Sequence, residues 1–147
     1  MNASNHRSIQ LRSSQFNGKC VLYWMVRDKR VHDNWALLKA QQIAIKQRVP
    51  LLVCFQFVGS YKEANIRQYH FLFEGLKESE KELHKNQIGF ILLKGAAEIQ
   101  IPKLIDQYIV GHLVTDFSPL KVYKNRLKKV LSKVSIPVTQ VDAHNIV

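Results

Sequence analysis

Cysteine is nearly absent, at two in 147 residues, and neither Cys20 nor Cys54 stands in a C-x-x-C pair or beside histidines at metal-ligand spacing. A disulfide framework and a structural zinc site are therefore not expected. Both thiols lie in apolar runs and read as buried and free, as in a reducing compartment. Long hydrophobic runs are also missing. None approaches the roughly 18 to 20 residues that span a bilayer, and the N-terminus lacks the apolar middle of a secretory signal. A cytoplasmic protein without a membrane partner is expected. Glycine is scarce, at six, and the glycine loops that cradle phosphate are absent: there is no G-x-G-x-x-G after the first apolar run and no G-x-x-x-x-G-K-[ST] anywhere. No G-x-S-x-G elbow offers a hydrolase serine. The six histidines are scattered, and none pairs with a cysteine or carboxylate at a spacing that forces a metal or catalytic site.

What is present is an ordinary core and an excess of positive charge. Hydrophobic residues make up 46% of the chain, and at roughly 100 to 200 residues per domain this length gives one unit able to fold without staples. Lysine and arginine number 22 against 11 acids, a net charge of +11, which attracts phosphate, nucleic acid or an acidic partner. Much of the excess is local. Lys121, Lys124, Arg126, Lys128, Lys129 and Lys133 fall in one acid-free stretch, while Leu120, Tyr123, Leu127, Val130, Leu131 and Val134 keep helical spacing. This is an amphipathic helix with a basic face. It reads as a solvated face ahead of a DNA or partner stripe, because no run of aromatics is interleaved for base stacking.

Residues 1–19, basic, serine-rich and without an acid, read as a flexible tail ahead of a domain over 20–147. Asn17-Gly18 is a turn signal, and Cys20 to Val26 reads as a buried strand. Asp33 or Asn34 can cap the next helix, which gains an apolar side from Trp35, Leu38, Ile43 and Ala44 and stops near Arg48, before Pro50. A second strand runs from Pro50 to Phe57. The strongest helical period in the chain follows, from Ile66 to Leu83, with Phe71 and Phe73 expected in the core. Ile88–Leu93, His112–Thr115 and Ile136–Val141 are the third, fourth and fifth strands, separated by helices over 98–108 and the basic segment. Strand and helix thus alternate, and the strands are continuous apolar runs, the pattern of a parallel sheet covered on both faces. The expected fold is α/β: a three-layer, Rossmann-like domain with a five-stranded parallel sheet. Ligands of such sheets bind beyond the carboxyl ends of the strands, where strand order reverses.

Four stretches carry a resemblance. Val21-Leu22-Tyr23-Trp24-Met25-Val26-Arg27-Asp28-Lys29-Arg30-Val31-His32-Asp33-Asn34-Trp35-Ala36-Leu37 resembles the opening strand, loop and helix of class II cyclobutane pyrimidine dimer (CPD) photolyases. Residues 67–76 (RQYHFLFEGL), 114–120 (VTDFSPL) and 141–147 (VDAHNIV) are similar to the same family in the same order. The resemblance implies the N-terminal α/β domain of a light-driven DNA repair enzyme, the part that holds an antenna chromophore where there is one. It further implies that FAD and the flipped-out dimer belong to a following C-terminal helical domain. None of that domain's flavin ligands has a position in this sequence onto which it can be carried, so the chain alone is expected to be inactive, its catalytic residues none. The sequence departs from the family where many members read Gly-Asp-Pro and this chain has Gly95-Ala96-Ala97, a change that removes a helix cap and a polar group at the mouth of the crevice.

The resemblance also implies a site. An antenna, a hydroxy-deazaflavin or FMN, would lie in a crevice between the first and fourth strands, with Met25, Val26 and Arg27 on one side, Asp116, Phe117 and Ser118 on the other, and Gln56 and Phe57 from the second strand. In deazaflavin-binding relatives, positions similar to Gln56 and Asp116 lie against the chromophore. The chemistry suits that role: Met25, Phe57 and Phe117 offer flat, polarizable surface, while Gln56, Asp116 and Arg27 can satisfy a polar edge. The competing roles are structural: Asp28, Arg30 and Asp33 in an ion-pair network with Arg27, Asn34 as a cap, and Trp24 and Trp35 in the core. The expected partner is an FAD-binding photolyase domain, or a second copy through an exposed interface, with DNA contacted only weakly. The alternative is a stand-alone Rossmann-like module that binds a flavin, a nucleotide or a partner protein.

Overall fold

A computed structural model describes residues 8–26, 31, 34–57 and 66–142, the side chains of 66–69 excepted. The elements are β1 (Ser8–Arg12), β2 (Cys20–Met25), α1 (Trp35–Gln47), β3 (Leu51–Phe57), α2 (Ile66–Lys85), β4 (Gly89–Lys94), α3 (Ala97–Tyr108), β5 (Val110–Asp116), α4 (Lys121–Leu131) and β6 (Val138–Val141). They form one six-stranded sheet in the order β1-β6-β5-β2-β3-β4. The α/β class and the five parallel strands from β2 to β6 agree with the sequence pattern. The sheet is mixed rather than wholly parallel, because β1, inside the stretch read as a tail, pairs antiparallel with β6. Edge position explains why its sequence gave no strand signal. SIQLR buries little, with Ile9 exposed, and its pairing rests on backbone hydrogen bonds that any residues can make.

The central strand β2 is buried along its whole length, and alternation divides its side chains between two cores. Val21, Tyr23 and Met25 pack with Ala36, Leu37, Ala40 and Ala44 of α1 and with Leu76 and Leu83 of α2. Cys20, Leu22 and Trp24 face the other way, against Ala97, Ile101, Leu104 and Ile105 of α3 and Val130 of α4. Trp24 is core, as expected, and Trp35 is partly buried against the first core. Both cysteines are free and buried, and burial raises both thiols above their ordinary pKa.

Asn34 caps α1 by accepting a 2.9 Å bond from the Leu37 N–H, which settles the choice between Asp33 and Asn34 for that bond. Asp33 itself lies outside the described residues, as do Arg27, Asp28 and Arg30 with their expected ion-pair network. The helix ends at Arg48 in the left-handed region, whose N–H closes onto Ala44 and Ile45. The helical period of α2 misleads at one position: Phe73 packs against the first core, but Phe71 is 84% exposed, not core. The α3 N-cap is Ala96, which makes no side-chain cap bond.

Candidate functional site

Among the described residues, two openings at the carboxyl ends of the strands divide the predicted crevice residues between them. The roomier is a cleft of about 130 Å³ over the ends of β2 and β3, lined by Trp24, Met25, Val26, Phe55, Gln56 and Phe57, with Leu72 of α2 at one side and Tyr123 and Arg126 of α4 at the other. The second is a recess of about 10 Å³ over β2 and β5, to which Asp116 and Ser118 contribute with Thr115, Lys124 and Gln140. That space is about what one water molecule needs. The structure therefore brings Met25, Val26, Gln56 and Phe57 together and places Asp116 and Ser118 beside them, in a recess too small for a ring. Phe117 continues from β5, its N–H donating to the Val141 carbonyl at 2.8 Å. Arg27 is outside the described residues.

Asp116 explains why the recess is closed. Its carboxylate, 3% exposed, accepts a 2.7 Å bond from the Tyr23 hydroxyl on one oxygen and a 2.7 Å bond from the Val26 N–H on the other. Tyr23 in turn accepts from the Asn34 side-chain amide at 3.0 Å. One chain of bonds thus links the helix cap of α1, the centre of β2 and the end of β5. Thr115 adds a 3.0 Å bond from its hydroxyl to the Trp24 carbonyl. Ser118 accepts from the Leu120 N–H at 3.3 Å, just before α4 begins. These groups fix the strand ends rather than present themselves to a ligand.

The cleft has different chemistry. Gln56 is buried, and its amide nitrogen donates to the Gly95 carbonyl. Gly95 adopts φ +123°, a conformation that favours glycine, and returns its own N–H to the Phe57 carbonyl at 2.9 Å. These two bonds stitch the β4–α3 turn to the end of β3 and hold the Gln56 side chain in place. Its amide oxygen has no protein partner among the described residues. Phe57 meets Phe73 edge to face, with centroids 5.4 Å apart and planes at 78°, so the wall on that side is a braced aromatic surface. On the α4 side the Arg126 guanidinium lies 5.1 Å from the centroid of the Tyr123 ring. The cleft lining therefore combines apolar, largely aromatic side chains with the Gln56 amide and the Arg126 guanidinium.

Trp24, Phe55, Leu72, Tyr123 and Arg126 were not among the site residues expected from sequence. Trp24 serves as both core and cleft lining. Tyr123 and Arg126 sit in a segment whose lysines dominate its pattern, and only their three-residue spacing, which puts them on one helix face, marks them as a pair. Among the described residues, no group of three or more histidines, cysteines or carboxylates could hold a metal ion, and no helix is long and apolar enough to cross a membrane.

Comparison with known proteins gives the fold and its lineage. Deoxyribodipyrimidine photo-lyase of Potorous tridactylus is 43% identical over 135 residues, covering 90% of this chain and 25% of that protein. Its Arabidopsis thaliana counterpart is 38% identical over 129 residues, covering 86% of this chain and 26% of that protein. The chain thus spans about a quarter of the length of these relatives. Among solved structures, a class III photolyase from Agrobacterium tumefaciens superposes with a TM-score of 0.69 at 22% identity, over 88% of this chain and 27% of that one, a likeness of fold. The family model for DNA photolyase matches residues 21–147, nearly all of the sequence beyond the stretch that holds β1. The chain belongs to the DNA photolyase family.

Proposed function

We propose that the chain is the antenna and scaffold domain of a class II CPD photolyase, and that the cleft over β2 and β3 takes a planar antenna chromophore, a hydroxy-deazaflavin or FMN. The observation that carries this reading is the cleft itself. It sits beyond the carboxyl ends of β2 and β3, one strand away from the expected crevice between β2 and β5, where the strand order reverses and only the small recess lies. It has flat walls from Trp24, Met25 and Phe57, and the unpartnered amide oxygen of Gln56 can accept a hydrogen bond from the N–H edge of a ring. The class II assignment rests on the sequence strings around Trp24 and Asp116, and the 43% identity to the Potorous tridactylus enzyme supports a repair photolyase.

A bound antenna absorbs light and passes the excitation to a second flavin. This chain's residues bind and orient it: the aromatic walls fix the ring plane, and Gln56, held by Gly95, fixes its rotation within that plane. Dimer splitting needs reduced FAD beside the lesion, and in this proposal a helical FAD-binding domain is the partner that supplies it. The test is an equilibrium titration of the purified chain with a hydroxy-deazaflavin and, separately, with FMN, followed by ligand fluorescence. Saturable binding at micromolar concentration or below is the expected result. No saturation with either ligand would sink the antenna reading.

A further inference from the structure

The cleft is small for a three-ring chromophore. Its volume of about 130 Å³ is near that of a cavity that holds a single benzene. A flavin-sized ligand seated by one ring must therefore extend past the rim. One wall of the rim is α4, and the residues it contributes are Tyr123 and Arg126. Arg126 is held over the Tyr123 ring by a cation–π contact, which leaves the in-plane N–H donors of its guanidinium unspent. Among the described residues no carboxylate pairs with it, and none lines the cleft. Lys121, Lys124 and Lys128 are exposed on the same helix, again without an acid. The α4 side of the cleft, past which the outer part of a ligand can extend, is therefore positively charged, with no acid among its described residues.

We infer that Arg126 is a specificity-determining residue, selecting a chromophore whose tail ends in a phosphate over one with an uncharged tail. The inference rests on the proposed antenna function of the cleft and adds the chemistry of the ligand's outer end. A guanidinium matches a phosphate with two parallel N–H···O bonds, and the cation–π contact with Tyr123 restrains the side chain before the ligand arrives. A neutral polyol tail gains neither the charge assistance nor the fork.

FMN and riboflavin share one ring system and differ by the phosphate, so they isolate the effect. Both are titrated into the full chain and into Arg126→Gln, with a thermal melt of each protein as the control for folding. The expected result is that the chain binds FMN about tenfold more tightly than riboflavin. In Arg126→Gln the ratio of the two affinities falls to about one. Raising the salt to several times physiological strength narrows the ratio in the unaltered chain. Equal affinities in the unaltered chain overturn the role of Arg126 and leave the antenna reading standing, as does a preference for FMN that survives Arg126→Gln. Failure of both flavins and of a hydroxy-deazaflavin to bind overturns the antenna reading and this inference with it.

Discussion

Asp116 shows how a residue can have the look of a ligand-binding carboxylate and a different role. A buried carboxylate at a strand end, in a position that the sequence resemblance set against a chromophore, invites a binding assignment. Here both oxygens accept short bonds from Tyr23 and Val26. Removing one acceptor leaves a buried donor unsatisfied, which costs about 1–3 kcal/mol. Asp116→Asn is therefore expected to lower unfolding stability by that amount in a urea titration, and an unchanged midpoint would refute the structural role. Any loss of ligand binding in such a variant reports the fold as much as the site. His112 makes a second case. Its ring nitrogen lies 2.8 Å from the Thr139 hydroxyl, and burial, with the Lys39 ammonium nearby, lowers its pKa from 6.5 to about 4. Between those values the unfolded chain binds a proton that the folded chain refuses, so the contribution is full above pH 6.5 and declines as pH falls toward 4. His112→Gln is expected to flatten that part of the pH–stability curve between pH 7 and 5. Equal slopes in the two proteins would count against it.

At the scale of elements, what could be read in advance depended on burial. Strands β2, β3 and β5 are continuous apolar runs because helices cover both faces, and their sequences announce them. The edge strand β1 could not be read, because its pairing uses backbone groups and its side chains are half exposed. The helical period of α2 gave the helix correctly and Phe71 wrongly, since periodicity finds an apolar stripe but not which of its margins the sheet covers. The α3 N-terminus was legible in a different way, through a residue that is missing. Ala96 stands at the N-cap with no side-chain bond, after a Gly95 whose φ of +123° already forms the turn. Ala96→Asp adds an acceptor for the orphan N–H groups and a negative charge at the positive end of the helix. It is expected to raise stability by about 1 kcal/mol in thermal or urea unfolding, and a neutral or lowered stability would show that the turn already satisfies those groups.

Across the whole molecule, the fold places chemistry at one end of the sheet. The resemblance named four of the nine residues that line the cleft, Met25, Val26, Gln56 and Phe57, because they end strands that the sequence marks clearly. It could not name Leu72, Tyr123 or Arg126, because they reach the cleft only when α2 and α4 pack on opposite faces of the sheet. The net charge of +11 takes on a local meaning in the same way, through Arg126 at the cleft edge. The central claim is that this cleft holds the chromophore, and filling it tests that most directly. Leu72 lines the cleft from α2 and is only partly buried, so Leu72→Trp can occupy the space with little cost to the core. Hydroxy-deazaflavin is titrated into the unaltered chain and into Leu72→Trp, with matched thermal melts. The account predicts saturable binding to the unaltered chain and an affinity weakened by about tenfold or more in the variant; equal affinity in the two proteins would place the chromophore elsewhere and contradict it.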